Sequence, residues 1–472
     1  MSVGRKMAGV GATQIVEFGL QLLTPVVLVR VLEADVFAAY RWVWLLAGTV
    51  AAIAPLGMIV SLFYYLPKAE SKAKLQYITQ TLVHLLMMAL LMVGAAWLLR
   101  QHLPGETGLF AAHGPWLVSF TVAWVVGMLL DQLPTADERV RWQMALSIGL
   151  AVVRSAALVF AAWHWQTLEA ILYVLCAFVL LKLALMAFYV ARYHRHHDWQ
   201  KARLTEHLGH AWPLGFGTVL FGLRRQSEQW LVAALFSPLQ FAAFSIAATL
   251  APVMVMARKS VGLVLMPSMS RSQGRGDLQA MLKTNQQGNL VVSAFMGPML
   301  AVVAVYADVL VGWVYTTQYL DAANVLRVFV VLWLLQMIDM NALVVMLKEG
   351  AYLSKVNFPL LALSVTVSYL GAKFFGLPGA ALGSVLATYV ERILLAKQIA
   401  KRVGISIYAV QPWLKTGSLA LLSLALVAAS RYALDRFGVN VVYAMVLVAA
   451  LASGVGFILA KRYMKGLGHE FN

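Results

Sequence analysis

Charge is scarce in this chain. Only 12% of its 472 residues are Asp, Glu, Lys or Arg, while 61% are hydrophobic. A soluble domain carries roughly twice that charged share, so a fold with a water-facing polar surface is excluded. Acidic residues are scarcer still: 20 stand against 37 basic ones, a formal net charge of +17. In a soluble chain that excess would point to nucleic acid. Here the basic residues that membrane insertion gathers in cytoplasmic loops account for most of it, and no nucleic-acid partner is expected. Cysteine is nearly absent. Cys176 stands alone inside an apolar run, which excludes an intramolecular disulfide and a thiolate metal cluster. No Gly-rich Lys-Ser/Thr phosphate loop, zinc pattern or nucleophile elbow occurs, so ATP is not the expected direct energy source. No metal or cofactor is expected beyond a coupling ion, H+ or Na+.

Long apolar runs are present throughout. Runs of about 18 to 25 residues recur from end to end, the length a helix needs to cross a bilayer. They predict an all-α polytopic membrane protein with about 14 spans, near 9–31, 40–66, 77–99, 115–134, 142–163, 169–191, 212–236, 241–266, 288–312, 322–347, 355–375, 378–400, 414–432 and 439–460. The N-terminus is basic and then apolar, with no small-residue cleavage site, and reads as a retained first span. With the N-terminus in the cytoplasm, inside segments hold 23 Lys and Arg, and outside segments and their edges hold 5. That bias predicts both termini inside and an even number of spans. The outside loops are very short ("FSPLQ", "HWQTLE", "FFGLPG"). The longest inside loops, "ARYHRHHDWQKARLTEHLGH" and "SMSRSQGRGDLQAMLKTNQQ", run to about 20 residues.

The chain repeats itself. "LEADVFAAYRW" (32–42) and "FSPLQFAAFSI" (236–246) each join a polar turn to Phe-Ala-Ala-aromatic and then a long span, and each span ends near a proline, Pro67 or Pro267. A block with an even number of spans repeats in parallel about an axis along the membrane normal. Two six-span lobes are therefore expected, 1–200 and 201–402, with two added spans and a basic tail at 403–472. Transporters of this build place their substrate site near mid-membrane where the repeats meet.

Charges inside the spans mark candidate site residues. Nine basic residues remain there, among them Arg154, Lys182, Arg224, Arg225, Arg258, Lys259 and Arg327, against six acids that include Glu17, Glu228 and Asp339. Each costs roughly 2.5 to 3.5 kcal/mol at a helix centre on insertion scales, so the default place is a bundle interior or a wet cavity. In "FGLRRQSEQWLVAALF" (221–236), Arg224, Arg225 and Glu228 share one arc of a helix. Glu228 can pair with either arginine but cannot neutralise both. In the first span, Gln14, Glu17, Gln21 and Thr24 recur as one polar stripe. Glu17 and Asp339 are candidate ion-coupling carboxylates. Guanidinium presents a planar fork suited to phosphate, so a cationic cavity open to the bilayer fits a phosphorylated lipid headgroup. His194, His196, His197, His207 and His210 cluster in a basic loop without a helical ligand pair backed by carboxylates. They are read as a solvated loop touching anionic lipid, not as a metal site.

Three stretches resemble a known family. "LTPVVLVRVLEADVFAAYRWVWLL" resembles its opening span and first loop, "LVLMPSMSRSQGRGD" its eighth span, and "FGLPGAALGSVLATYVERILLAKQIAKRVGIS" its Gly-rich twelfth. The family is the polysaccharide transporter or O-antigen flippase group of the multidrug/oligosaccharidyl-lipid/polysaccharide exporter superfamily. The likeness covers the chain to about residue 410. It implies a flippase that moves an undecaprenyl-diphosphate-linked oligosaccharide across the bacterial inner membrane by alternating access around a cationic cavity, driven by an ion gradient or membrane potential. Glycan assembly proteins are the implied partners. The individual site residues rest on the span charges alone. Two other readings stand beside it. A multidrug exporter of the same superfamily would favour carboxylates and aromatics over a positive excess, and a membrane glycosyltransferase or polymerase would need larger outside loops.

Overall fold

The computed structural model describes residues 3–105, 108–194, 200–347 and 349–468. Its regular structure there is helical, with no strand among the described residues. The chain forms two compact units, Met1–Ala242 and Ala243–Asn472. The first holds α1 (Val3–Val31), α2 (Ala34–Ile53), α3 (Met58–Tyr65), α4 (Ser71–Leu98), α5 (Leu109–Gly127), α6 (Leu133–Ala136), α7 (Val140–Trp165), α8 (Leu168–Tyr193) and α9 (Lys201–Leu235). Helix α10 (Pro238–Ala248) carries the chain into the second, which holds α11 (Ala251–Gly274), α12 (Leu278–Val305), α13 (Ala307–Val314), α14 (Asp321–Gln336), α15 (Asn341–Met346), α16 (Gly350–Ala380), α17 (Leu382–Val403), α18 (Trp413–Arg436) and α19 (Val441–Gly468). The lobe boundary expected at 200 and the boundary between the compact units at 242 do not coincide, because α9 packs along α2 and α3.

Among the described residues, ten helical stretches are long and apolar enough to cross a membrane. Four other long helices, α1, α9, α11 and α17, fall where the sequence expects further spans. These are the helices that carry Glu17, Arg224, Arg225, Glu228, Arg258, Lys259, Glu391 and Arg392.

In the first unit α1 packs on α7, α5 on α8, and α9 along α2 and α3. The last of these contacts depends on two glycines. The chain breaks between α2 and α3 at Pro55-Leu56-Gly57, where Gly57 has a φ of 81°. Glycine adopts that left-handed backbone without steric cost. A Cβ on Gly57 would lie 2.1 Å from the Ala211 carbonyl oxygen, and one on Gly215 would lie 2.1 Å from the Leu56 carbonyl carbon. Backbone therefore meets backbone at this crossing, as small residues allow between helices in a membrane.

In the second unit α12 is central and packs against α11, α14, α18 and α19. The sequence reads 268–287 as an inside loop. Instead α11 runs to Gly274 and α12 starts at Leu278, because the Asp277 carboxylate caps it by accepting from Ala280 N at 2.9 Å. Pro298 within α12 removes the donor that would satisfy the Ala294 carbonyl. Gly456 of α19 approaches there, its would-be Cβ 3.1 Å from that oxygen. Gly376 breaks α16 with φ at 64°, and Gly383 packs its backbone face onto the Ser364 carbonyl and Ser368 of α16.

Candidate functional site

Among the described residues, Lys182 of α8 is the most buried of the cations the sequence singles out, with 4% of its side chain exposed. Its Nζ donates to Asp131 Oδ2 at 2.7 Å. Asp131 stands in a 3-10 turn, Met128–Asp131, where α5 gives out before α6, and its side chain is 46% exposed. Gly127 makes room for the lysine stem: a Cβ there would lie 3.2 Å from Lys182 Cδ. Above the stem lies the Trp124 ring, with Nζ 4.9 Å from its centroid. The guanidinium of Arg154, on α7, lies 6.0 Å from the same ring. Arg154 is half-buried, Glu17 of α1 is exposed, and Glu17 is close enough to feel the fields of Asp131, Arg154 and Lys182. The first unit thus gathers two cations, two carboxylates and an indole face from four helices. Lys182 is held by Asp131. Arg154 has the aromatic face and no ion pair among the described residues.

On α9, Arg224 and Glu228 are both buried, 6% and 5% exposed, and Arg225 is exposed. The shared arc of the sequence reading therefore divides. Positions 224 and 228, one turn apart, face the protein, and 225, about 100° round, does not. The Arg224 guanidinium lies 5.4 Å from the Phe221 ring. Six residues further on, Trp230 Nε1 donates to Thr49 Oγ1 at 2.8 Å, anchoring α9 to α2.

The first-span stripe divides too. Glu17 and Gln21 are exposed, whereas Thr24 is buried and spends its hydroxyl on the Leu20 carbonyl at 2.7 Å. Gln14 and Lys259 have side chains outside the described residues. In the second unit, Arg258 donates to the Gln336 carbonyl at 3.3 Å, where α14 ends. Arg327 Nη2 donates to Asp308 Oδ1 at 3.2 Å. The same carboxylate takes both forks of Arg431 on α18, each at 3.0 Å, so Arg327 belongs to an ion cluster that ties α13, α14 and α18 together.

Asp339 lies in the break between α14 and α15. Its main chain is held by amides of α12: Asn289 Oδ1 accepts from Asp339 N at 2.9 Å, and Asn285 Nδ2 donates to Asp339 O at 3.0 Å. Gln411 closes the group, donating to Asn285 Oδ1 at 2.9 Å. Sequence reasoning missed this buried amide cluster because "KTNQQ" reads as loop. The i, i+4 spacing of Asn285 and Asn289 was the available signal.

A second group that went unrecognised surrounds Asp137, between α6 and α7. This carboxylate is 3% exposed and accepts from Lys74 Nζ, Arg139 Nε and Tyr189 OH, each at 3.0 Å, with His194 Nε2 at 3.3 Å. Burial alone would raise its pKa. The bonds from His194, Lys74 and Tyr189 outweigh burial and hold the carboxyl well below the usual carboxylate range. His194 is thus a buried structural partner, and His196 and His197 lie outside the described residues.

His207 bonds across α9 to the neighbouring helices. Its Nε2 is 2.7 Å from Ser61 Oγ, its Nδ1 is 3.0 Å from Gln80 Oε1, and Ser61 donates its one proton to Met58 O at 2.7 Å. That proton count places hydrogen on His207 Nε2 and calls for Gln80 to present its NH2 to Nδ1. The amide turn also gives Gln80 Nε2 the partner it otherwise lacks. Among the described residues no group of three or more His, Cys, Asp or Glu could hold a metal.

Residues 132–324 match a family model described as "Polysaccharide biosynthesis protein". No curated protein matches the sequence. The fold is similar to that of the lipid II flippase MurJ in an inward-closed conformation, at a TM-score of 0.66 and 13% identity, covering 97% of this chain and 98% of that one. It is also similar to an inward-facing multidrug-resistance MATE family transporter of the MOP superfamily, at 0.59 and 14%, covering 82% and 96%. A eukaryotic MATE transporter aligns at 0.56 and 13%, covering 89% and 98%.

Proposed function

We propose that this chain belongs to the multidrug/oligosaccharidyl-lipid/polysaccharide exporter superfamily, a reading supported by the partial family match and the shared fold, and that it is a flippase carrying a lipid-diphosphate-linked oligosaccharide from the inner to the outer leaflet of the bacterial inner membrane. The carrier lipid is of the undecaprenyl type, the translocation is by alternating access, and an ion gradient or membrane potential drives it. The observation that carries the reading is the polysaccharide-biosynthesis match over 132–324, a stretch that includes Arg154, Lys182, Arg224 and Arg225. Arg154 supplies the chemistry. A half-buried guanidinium with an aromatic face and no carboxylate of its own can receive a diphosphate bidentately. Arg225, exposed on α9, offers a second fork. Glu17, within the field of the Asp131–Lys182 pair, is the proposed site where a coupling ion registers, with Asp339 the counterpart in the second unit.

A multidrug exporter is the second reading, favoured by the likeness to the MATE transporters. The two readings part on what accumulates without the protein. Deleting the gene and analysing extracted lipids by mass spectrometry is expected to reveal a lipid-diphosphate-linked sugar held in the cell. Unchanged lipid pools together with new sensitivity to organic cations would favour the exporter.

A further inference from the structure

A cavity of about 380 Å3 opens at one end of the first unit, where the α1–α2 turn, the loop before α5 and the α9–α10 turn meet. On the charge bias of the loops this is the outer end. The two copies of the Phe-Ala-Ala repeat come together here: Asp35, Ala38 and Ala39 line it from the first, and Phe241 from the second, with Phe236 and Pro238 beside it. Its volume falls in the usual range for small-molecule sites.

The walls are fixed before any ligand arrives. Trp42, one of the lining residues, packs edge-on against Phe110 and Trp230, each with ring centroids 5.9 Å apart. Its indole N–H is already committed to the Pro104 carbonyl at 2.8 Å, so Trp42 offers the cavity only carbon surface. Gly105 closes another side, its φ at 69°, with a would-be Cβ 3.1 Å from Ala233 Cβ and 3.3 Å from Trp42 Cδ1. Among the described residues, the one charged side chain in the lining is Asp35, which is exposed and makes no ion pair there.

That composition selects a ligand. Among the described lining residues an anion would meet a carboxylate and no cation. A sugar would bring several hydroxyls to a wall whose indole donor is spent, leaving them short of partners. A cation with an apolar body satisfies both features: its charge faces Asp35 at the rim, and its body fills a space lined by Phe236, Phe241 and Trp42, whose π systems also attract it. From these residues we infer that the cavity is a binding site for an amphiphilic ammonium ion, distinct from the charged group around Lys182. The ammonium comes either from a free organic cation or from a membrane-lipid headgroup. Neither source depends on the transport reading, and the site stands or falls without it.

The test uses the full chain in dodecylmaltoside, which carries no ammonium, titrated with benzyltrimethylammonium by calorimetry. Benzoate and benzyl alcohol serve as anionic and neutral controls. Saturable binding to the wild type, weakened tenfold or more in Asp35→Asn and recovered in Asp35→Glu, is the expected result. Circular-dichroism melts of both variants are expected to match the wild type, since position 35 is exposed. Repeating the titration with phosphatidylethanolamine or phosphatidylglycerol added separates the sources. Competition by the first lipid alone assigns the site to a lipid headgroup, and competition by neither assigns it to a free cation. Equal affinity in Asp35→Asn, or benzoate binding as tightly as the cation, overturns the proposal.

Discussion

Lys182 Nζ and Asp131 Oδ2 are 2.7 Å apart, with the lysine almost fully buried and the aspartate side chain 46% exposed. The pair therefore has a dry side and a wet side. The lysine depends on its partner for compensation, because an ammonium left alone in a low-dielectric interior is costly.

Removing only the partner exposes that dependence. Asp131→Asn is expected to destabilise the protein by about 1 to 3 kcal/mol, less than for a fully buried pair because water screens the exposed aspartate. Asp131→Asn combined with Lys182→Met is expected to regain most of that loss, since no buried charge remains. Thermal unfolding in detergent checks both. Equal destabilisation in the double variant would mean that the lysine is not carried by this contact.

The Asp137 cluster makes a pH prediction. Its pKa is lowered in the folded state, so its contribution is complete above the unfolded carboxylate value, near 4, and is lost as pH falls through the lower folded value. Melting temperature followed downward from pH 5 should fall less steeply in Asp137→Asn than in wild type. Asp137→Asn should also lower stability at pH 7, where Lys74, Arg139 and His194 lose their common acceptor.

The α9 crossing admits no side chain at its tightest points. Gly57→Ala and Gly215→Ala each drive a methyl group to within 2.1 Å of backbone atoms, and the first is also strained by its positive φ. Each should cost at least about 1 to 3 kcal/mol, the scale of overpacking. Gly274→Ala, with nothing within 4 Å, is the neutral comparison. Folded yield from membranes and detergent melts measure the difference.

Export should depend on Arg154 and Arg225, which make no ion pair among the described residues, more than on Lys182, which Asp131 holds. Arg154→Ala and Arg225→Ala are expected to cut glycan export tenfold or more at unchanged protein level in the membrane. Arg154→Lys should restore part of it, since charge survives and the bidentate fork does not. Arg327→Ala is expected to act through stability, because Arg327 shares Asp308 with Arg431. Glu17→Gln should flatten the dependence of export on the ion gradient; an unchanged dependence would remove Glu17 from coupling.

Much of the fold was legible because it depends on composition read locally. Apolar run length places the helices. Partners that lie far apart along the chain were not legible. Asp131 and Lys182 are 51 positions apart, and the hydrogen bonds at Asp137 come from residues between 74 and 194. An acid near a span end gives no sign of which buried lysine it serves. The inside loop at 268–287 was misread because "SRSQGRGD" is polar and Gly-rich, while Asp277 starts a helix as readily as it solvates a loop. Helical periodicity put Arg224, Arg225 and Glu228 on one arc, but period alone does not say how wide the covered face is. Arg225 falls just outside it.

The central claim is that a lipid-linked diphosphate is the cargo. The direct measurement is reconstitution into liposomes with a fluorescent lipid-diphosphate-linked oligosaccharide, timing its arrival in the opposite leaflet by a membrane-impermeant quencher. Wild-type protein is expected to speed this well above protein-free liposomes, and Arg154→Ala to return it close to that background. Flipping no faster than in protein-free liposomes, alongside catalysed movement of an organic cation such as ethidium, would contradict the account.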